Sequence, residues 1–192
     1  MLKAKKAGYL MSIVTGRELD SLLSACPQID IFDFVLTENG AVLYFPKTNM
    51  IELLASPPPI EFLHQLLRRG ISFYQNRVMT SVHPRYEEKV QSLIYELELP
   101  LHLIYHQSTM FILPVGIDKG LGLGKVLPRF NITNHQVIAC GDGANDLALL
   151  DYCGFRVAVA NAIDVVKAKA DWVATLNSGD GVAEFIDKHL LR

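Results

Sequence analysis

The sequence predicts an α/β fold, a Rossmann-like doubly wound parallel sheet interrupted by an inserted α+β domain. Strand-like apolar segments alternate with helical patterns at both ends of the 192-residue chain. Strands separated by helices of about 10–15 residues are typical of parallel sheets. In the middle of the chain the order becomes helix, strand, strand, helix, strand, strand. Three prolines, Pro57-Pro58-Pro59, mark the start of that change.

The elements follow from local patterns. We expect a strand over the apolar residues 9–14 and a helix over 16–24, because Leu19, Leu22 and Leu23 share one helical face. Strands over 34–36 and 41–45 flank Glu38-Asn39-Gly40, since Asn-Gly favours a hairpin. The inserted segment has a helix ending at 69, strands 71–75 and 78–83, a helix 85–97, and strands 101–106 and 110–113. The return to the core has a helix after 119, strand 136–140, a helix after 145, strand 155–160, helix 162–169, strand 172–174 and helix 181–191.

This order predicts two domains. We expect a discontinuous core domain over residues 1–54 and 113–192, and an inserted domain over 55–112. A small sheet covered by two helices suits the insertion.

The composition excludes several classes of protein. Half of the residues are hydrophobic and a fifth are charged, which is typical of a globular chain. A net charge of -2 predicts neither nucleic acid nor an anionic membrane as partner. The short apolar run at 7–14 lacks a signal-peptide cleavage pattern, and no apolar run has the roughly 18 residues of a membrane span. Cys26, Cys140 and Cys153 lack metal-type spacing, so we expect reduced thiols and a cytoplasmic location.

Polar clusters lie where predicted strands end, the place where doubly wound sheets bind ligands. They are Thr15-Gly16-Arg17, Asp118-Lys119 and the segment from Asp142 to Asp146. A hydroxyl and free N–H groups at a helix start suit a phosphate oxygen, and a lysine adds a point charge. Magnesium prefers hard carboxylate ligands, together with waters and substrate oxygens. The clusters therefore predict a site for a magnesium-bound phosphate monoester.

These motifs resemble those of the haloacid dehalogenase (HAD) superfamily. GDGAND at 141–146 resembles motif IV, TGR at 15–17 resembles motif II, and GIDKG at 116–120 resembles motif III. The insertion is similar to the αββαββ cap domain of Cof-type, class IIB phosphatases. The resemblance covers nearly the whole chain. It implies a Mg²⁺-dependent phosphatase that hydrolyses a small phosphate monoester, a sugar phosphate or phospho-acid, through an aspartyl-phosphate intermediate.

The resemblance implies a metal-binding loop in motif IV. Asp142 would bind Mg²⁺ directly, and Asp146 would orient the metal's waters or ligate it. Asn145 would hydrogen-bond the phosphate side of the site.

The resemblance also implies the phosphate site and the catalytic residues Thr15 and Lys119. Thr15 Oγ and the Gly16 N–H would hold the transferring phosphoryl oxygens. Lys119 would neutralise charge on the phosphate and the nucleophile. Arg17 and Asn39 would touch the substrate or the cap junction.

Each of these residues has a structural alternative. Thr15 could cap a helix, Lys119 could be a solvated first-turn lysine, and Asp142 and Asp146 could be capping carboxylates. Two glycines and an asparagine in the same loop favour function for the aspartates. The glycine-rich GLGLGK at 120–125 does not match a P-loop. His102 and His106 lie in a strand-like stretch and do not form a helical metal pair.

One family motif does not occur in the 192 residues: D-x-D-G-T/S, which carries the nucleophile and the acid/base. Asp30-Ile31-Phe32-Asp33 has the wrong spacing and no Gly-Thr. In the family its strand lies between those of motifs II and IV. We therefore expect this chain alone to show no, or only trace, phosphatase activity. A misassigned or shortened start is favoured over a true loss of the motif.

Two other functions stay open. A non-catalytic relative would bind a phosphorylated ligand or partner without turnover. P-type ATPases carry a similar GDG-x-ND loop, but they need a D-K-T-G-T site and membrane spans, and the sequence contains neither.

The substrate class stays open between sugar phosphates, phosphoglycolate-like acids and phosphorylated cofactors. The insertion would choose among these substrates. Its candidate residues carry no readable code: Tyr74, Arg77, His83, Arg85 and Tyr105.

Overall fold

The first part of the core is a four-stranded sheet. The computed structural model describes residues 1–106 and 108–191. Its first sheet has the order β1 (Ser12–Val14), β2 (Phe34–Thr37), β3 (Val42–Phe45) and β4 (Met50–Leu53). Strands β1 and β2 are parallel, whereas β3 and β4 continue the sheet antiparallel. Helix α1 (Leu2–Lys6) precedes β1, and α2 (Leu19–Ala25) connects β1 to β2.

The predicted hairpin joins β2 to β3. Glu38, Asn39 and Gly40 have φ values of 51°, 54° and 92°, in the left-handed region. A Cβ atom on Gly40 would lie 2.3 Å from the carbonyl oxygen of Asp118. Only glycine therefore allows the turn to pack this closely against the next part of the core. Strand β4 was not predicted, because its Met-Ile-Glu-Leu sequence does not alternate cleanly between apolar and polar residues.

The second part of the core alternates strand and helix, as predicted. Its elements are α5 (Lys119–Val126), β9 (Ile138–Gly141), α6 (Leu147–Tyr152), β10 (Phe155–Ala158), α7 (Asp164–Lys169), β11 (Trp172–Val173) and α8 (Ser178–Phe185). A wider, π-type turn over Ile186–Leu190 extends α8. Strands β9, β10 and β11 are parallel, with β10 in the middle. The α/β class is thus confirmed.

The core strands form two sheets rather than one continuous sheet. Within the two described ranges, β1 pairs with β2 alone and β9 pairs with β10 alone. One hydrophobic cluster nevertheless spans both parts of the core. It includes Leu36 and Leu43 from the first sheet, Leu123 from α5, and Leu150 and Val166 from α6 and α7.

The insertion has the predicted order of helix, strand, strand, helix, strand, strand. It contains α3 (Ile60–Arg68), β5 (Phe73–Gln75), β6 (Thr80–Val82), α4 (Glu87–Glu96), β7 (Leu101–His106) and β8 (Thr109–Pro114). The strands form an antiparallel sheet in the order β5-β6-β8-β7, which we call the cap sheet. The boundary of the domain at 55–112 stays a prediction.

The two faces of the cap sheet have different roles because side chains alternate along a strand. Phe73, Val82 and Ile112 face one side and pack with α3 and α4. Tyr74, Ser81 and Phe111 are neighbours across three strands and share the other face. That second face, the open face, is directed towards the core.

Candidate active site

A cleft of about 880 Å³ lies between the open face of the cap sheet and the ends of β1 and β9. The three predicted polar clusters meet in it. Seven of the eight predicted site residues line the cleft: Thr15, Gly16, Arg17, Lys119, Asp142, Asn145 and Asp146. The eighth, Asn39, is fully buried behind it.

Thr15, Gly16 and Arg17 form a loop rather than the start of a helix. The carbonyl oxygens of Thr15 and Arg17 accept hydrogen bonds from the N–H groups of Asn39 and Glu38, at 3.0 and 2.9 Å. Thr15 Oγ1 accepts the Arg17 N–H at 3.2 Å. These bonds hold the loop against the β2–β3 turn, so α2 begins only at Leu19, and the predicted helix start at 16 was wrong. Thr15 is not the cap of α2.

Asn39 and Asn145 connect this loop to the GDGAND loop. Asn145 Nδ2 donates to Asn39 Oδ1 at 3.4 Å, and Asn39 Nδ2 donates to Met79 Sδ at 3.3 Å. A Cβ atom on Gly16 would lie 3.0 Å from Asn39 Oδ1. Asn39 therefore lies at the junction with the cap, one of its two predicted places, and not on the wall of the cleft.

The GDGAND loop folds around the carboxylate of Asp146. Asp146 Oδ2 accepts the N–H groups of Asp142 and Gly143, both at 3.0 Å. A Cβ atom on Gly141 would lie 2.8 Å from the Asp146 Cβ, so the strand end must be glycine. Asp146 thus caps backbone N–H groups of its own loop, as the structural alternative predicted.

Lys119 and Asp146 form a buried ion pair. Lys119 Nζ lies 2.5 Å from Asp146 Oδ1, and both side chains are less than a tenth exposed. Burial by itself would raise the pKa of Asp146, but the charge and hydrogen bond of Lys119 and two backbone N–H groups lower it below the ordinary value. Lys119 is therefore not a solvated lysine.

The glycine-rich start of α5 brings Lys119 into the site. Asp118 Oδ1 accepts the Leu121 N–H at 2.8 Å and caps the helix. Cβ atoms on Gly120 and Gly122 would lie 2.4 Å from the Ala148 oxygen and 2.3 Å from the Gly40 oxygen. The GLGLGK segment thus serves close packing of α5 on α6 and the β2–β3 turn.

Asp142 is the carboxylate that fits a divalent cation. Burial raises its pKa first, and the neighbouring Asp146 raises it further, against smaller opposing effects of Lys119 and His106. The ionised carboxylate of Asp142 is therefore not fully balanced by positive charges around it, and a bound cation would supply the missing charge. Residues 1–106 and 108–191 contain no group of three or more potential metal-binding side chains. Because Mg²⁺ takes few carboxylates and completes its shell with waters and substrate oxygens, this donor set still fits Mg²⁺.

Glu38 is a buried residue whose role the sequence did not reveal. Its Oε2 accepts the N–H groups of Val78 and Met79, both at 2.8 Å, and its Oε1 accepts the Arg77 N–H at 3.1 Å. The side chain is fully buried. Glu38 therefore fixes the β5–β6 turn of the cap to the core.

Of the five candidate cap residues, only Tyr74 lines the cleft. Arg77 forms an ion pair with Asp20 at 3.2 Å. His83 accepts the Arg85 N–H, Arg85 lies over the Tyr86 ring, and Tyr105 lines a different cavity beside α4. The cap residues that do line the cleft with Tyr74 are Asn76, Met79, Ser81, His106, Thr109 and Phe111.

Comparison with known proteins decides the family. A family model described as haloacid dehalogenase-like hydrolase matches residues 73–186, more than half of the chain. The chain belongs to the haloacid dehalogenase-like hydrolases. Named relatives of this HAD family are phosphatases, so the chain is a phosphoric monoester hydrolase by family.

Two curated relatives cover most of the chain. The 5-amino-6-(5-phospho-D-ribitylamino)uracil phosphatase YcsE of Bacillus subtilis is 26% identical over 207 residues, covering 96% of this chain and 83% of the relative. Phosphoglycolate phosphatase 2 of Saccharolobus solfataricus is 31% identical over 188 residues, covering 95% and 78%.

A solved structure supports the fold. A haloacid dehalogenase-like hydrolase from Bacteroides thetaiotaomicron superposes with a TM-score of 0.82 at 21% identity, covering 97% of this chain and 89% of that one. No described helix of the chain is both long and apolar enough to cross a membrane.

Proposed function

We propose that the cleft is the phosphate site of a Mg²⁺-dependent phosphatase that acts on small phosphate monoesters through an aspartyl-phosphate intermediate. One observation carries the proposal. The buried Lys119–Asp146 pair, the Asp142 carboxylate and the Thr15–Gly16 loop line the same cleft. Lysine, hydroxyl and N–H groups bind phosphoryl oxygens, and a free carboxylate binds the cation that accompanies them.

Each residue has a distinct part in this proposal. Thr15 Oγ and the Gly16 N–H hold two phosphoryl oxygens, and Lys119 neutralises charge that develops on the phosphate. Asp142 would hold Mg²⁺, which supplies charge stabilisation when bound. Asp146, whose two oxygens already accept three hydrogen bonds, holds Lys119 and the loop in place behind Asp142.

Asn145 and Arg17 complete the proposed phosphate site, while Asn39 supports Asn145 from behind.

The proposed reaction also needs a nucleophile. It needs an aspartate that attacks phosphorus and releases the alcohol. The 192 residues contain no D-x-D-G-T/S motif that would supply it. The proposal therefore extends to low activity: this chain binds the phosphate group and turns over esters at trace rates at most.

Calorimetry with inorganic phosphate tests binding. We expect phosphate to bind only with Mg²⁺ present, and Lys119→Met to lose this binding. Lys169→Met is the matched control, because Lys169 forms an exposed ion pair with Asp151 and neither residue lines the cleft. Absence of Mg²⁺-dependent phosphate binding would refute the proposed site.

Turnover of p-nitrophenyl phosphate tests activity. We expect a rate close to that of buffer with Mg²⁺. Sustained Mg²⁺-dependent turnover that Lys119→Met abolishes would contradict the low-activity part of the proposal and confirm the phosphatase. Binding without turnover is also what a non-catalytic HAD-like protein would show, a second function that the missing motif permits. A peptide carrying a D-x-D-G-T strand, added in trans, separates the two. Restored turnover supports the phosphatase, and its absence with phosphate still bound supports the binding protein.

A further inference from the structure

The cap sheet ends in a long strand whose outer edge has no partner within residues 1–106 and 108–191. This strand, β7, pairs with β8 alone, in a continuous register without a bulge. Its six residues include no proline, lysine or carboxylate. The other strands with a free edge are only two to four residues long: β1, β4, β5, β9 and β11. Because unpaired main-chain groups accept further strands, proteins keep such edges short, charged or bulged. The edge of β7 has none of these protections.

The register shows which main-chain groups of β7 point outwards. Just before the strand, the Val115 N–H donates to the Pro100 C=O at 2.8 Å, so these two opposite residues form a hydrogen-bonded pair. Bonded and non-bonded pairs alternate along an antiparallel ladder. Leu101, Leu103 and Tyr105 therefore direct their main-chain groups away from β8. The Leu101 N–H already donates to the carbonyl two residues before it, at 2.8 Å, but its C=O and both groups of the other two residues stay available to a further strand.

A groove beside this edge can hold the side chains of such a strand. A cavity of about 790 Å³ lies between β7 and α4, and we call it the β7 groove. Leu101, Leu103 and Tyr105 line it from β7, since alternate side chains of a strand share one face. Tyr95 lines it from α4 and is 84% exposed. Directly opposite residues of an antiparallel pair have their side chains on the same face. An added strand would thus place every second side chain in the β7 groove.

The β7 groove has a carboxylate at each end. Glu98 is exposed where the chain enters β7, and it lines the groove. Glu87 lies at the other end, because burial first, and then the neighbouring Glu87, raise the pKa of Tyr105. A third carboxylate, Glu96, is paired with Arg69 at 2.5 Å. The described lining includes no lysine or arginine.

Two basic side chains near the β7 groove do not balance these carboxylates. His102 lines the groove, but its Nε2 lies 2.8 Å from the carbonyl oxygen of Ile117, towards the core. Lys89 is exposed on α4 and does not line the groove. The groove therefore suits a segment that is apolar in the middle and basic at both ends.

We propose that the free edge of β7 binds an extended segment of another protein, which adds an antiparallel strand to the cap sheet. The segment has apolar residues at alternate positions and a basic residue at each end, beside Glu87 and Glu98. A second copy of this chain fits less well. Antiparallel pairing about Leu103 would bring the Glu87 end of each groove to the Glu98 end of the other, and like charges oppose association. The inference goes beyond the proposed function and does not rest on the phosphate site.

Peptide titration followed by NMR tests the inference. The probe is the peptide Lys-Thr-Val-Thr-Val-Thr-Val-Thr-Lys, added to the full chain without Mg²⁺ or phosphate. Its valines and lysines share one face of a strand, so the valines meet the β7 groove and the lysines meet its acidic ends. We expect saturable shifts of the Leu103 and Tyr105 amide signals, because these N–H groups become hydrogen-bonded. N-methylation of the central valine removes a main-chain donor and should weaken binding about tenfold.

Charge variants test the recognition of basic residues. Glu98→Gln should weaken peptide binding by about 2- to 5-fold, the effect of one exposed ion pair. Glu88→Gln is the matched control, because Glu88 is an exposed glutamate of α4 that does not line the groove. Glutamate in place of both peptide lysines should weaken binding about tenfold, because like charges then meet at both ends.

Three results would overturn the inference. The first is a peptide that leaves the β7 amide signals unchanged. The second is equal binding of the glutamate peptide, or equal losses in Glu98→Gln and Glu88→Gln. The third is self-association of the chain in analytical ultracentrifugation that Tyr105→Lys reverses, which would assign the edge to a second copy. None of these results bears on the phosphate site, whose binding of inorganic phosphate is measured separately.

Discussion

Replacement of Glu38 by alanine should greatly destabilise the protein. The variant leaves the N–H groups of Arg77, Val78 and Met79 without their acceptor. A hydrogen bond to a charged group contributes about 1.5–3 kcal/mol, and a buried donor left unpaired costs about 1–3 kcal/mol. Val78 and Met79 are buried, whereas the half-buried Arg77 N–H can bind water. Two buried bonds then predict a loss of about 3–6 kcal/mol in the free energy of unfolding.

Urea denaturation measures this loss. The fluorescence of Trp172, the only tryptophan, reports unfolding of the core. We expect a lower urea midpoint with an unchanged slope. Glu38→Gln keeps one acceptor oxygen and should lose about 1–2 kcal/mol. Glu52→Ala is the control, because Glu52 forms an exposed pair with Arg129, and we expect a loss below about 1 kcal/mol.

Amide hydrogen exchange supplies the local readout. In Glu38→Ala the amides of Val78 and Met79 should exchange much faster, while core amides follow global stability. If Glu38→Ala is no less stable than Glu52→Ala and these two amides stay protected, Glu38 does not fix the cap to the core.

Three further predictions follow from the geometry and the pKa shifts. Gly40→Ala should lower the free energy of unfolding by about 2–4 kcal/mol, because its φ is +92° and its Cβ would lie 2.3 Å from a carbonyl oxygen. Gly179→Ala is the control, because the space around Gly179 is open, and thermal denaturation compares the two variants. Asp142→Asn should raise the urea midpoint at pH 7 and leave it unchanged at pH 3. Burial raises the pKa of Asp142 above its ordinary value of 3.8, so ionisation of this carboxyl group at higher pH disfavours the folded chain. An equal effect at both pH values would contradict this reasoning. Burial raises the pKa of Cys140 to about 11 and that of Cys153 to about 12, so iodoacetamide at pH 8 should label both thiols at least roughly 100-fold more slowly in the native chain than in urea, as mass spectrometry would show.

The polar clusters of the site were predictable from the sequence because each one is local. The GDGAND loop, the TGR loop and Asp118-Lys119 each follow a strand or begin a helix, and the ends of strands meet at one edge. The Asn-Gly turn was predictable for the same reason. The ion pair between Lys119 and Asp146 needed the fold, because 27 residues separate the two in the chain.

The cap side of the cleft was not predictable in the same way. The residues singled out in the sequence were charged or aromatic, but Arg77 bonds the core and Tyr105 lies in another cavity. Which residues face the cleft depends on strand register, and a shift of one residue reverses the face of every side chain. Glu38 was missed because its three partners lie about 40 residues further along the chain.

The alternation along β6 separates two kinds of evolutionary constraint. Thr80 and Val82 are buried, so a change there alters the packing of the cap with its helices. Ser81, between them, is only partly buried and touches the cleft. A substitution at Ser81 therefore changes the wall of the cleft with little effect on folding. If the cleft binds esters as proposed, single substitutions at every second position of the strand change the wall that meets the ester, while the core residues proposed to bind phosphate stay the same.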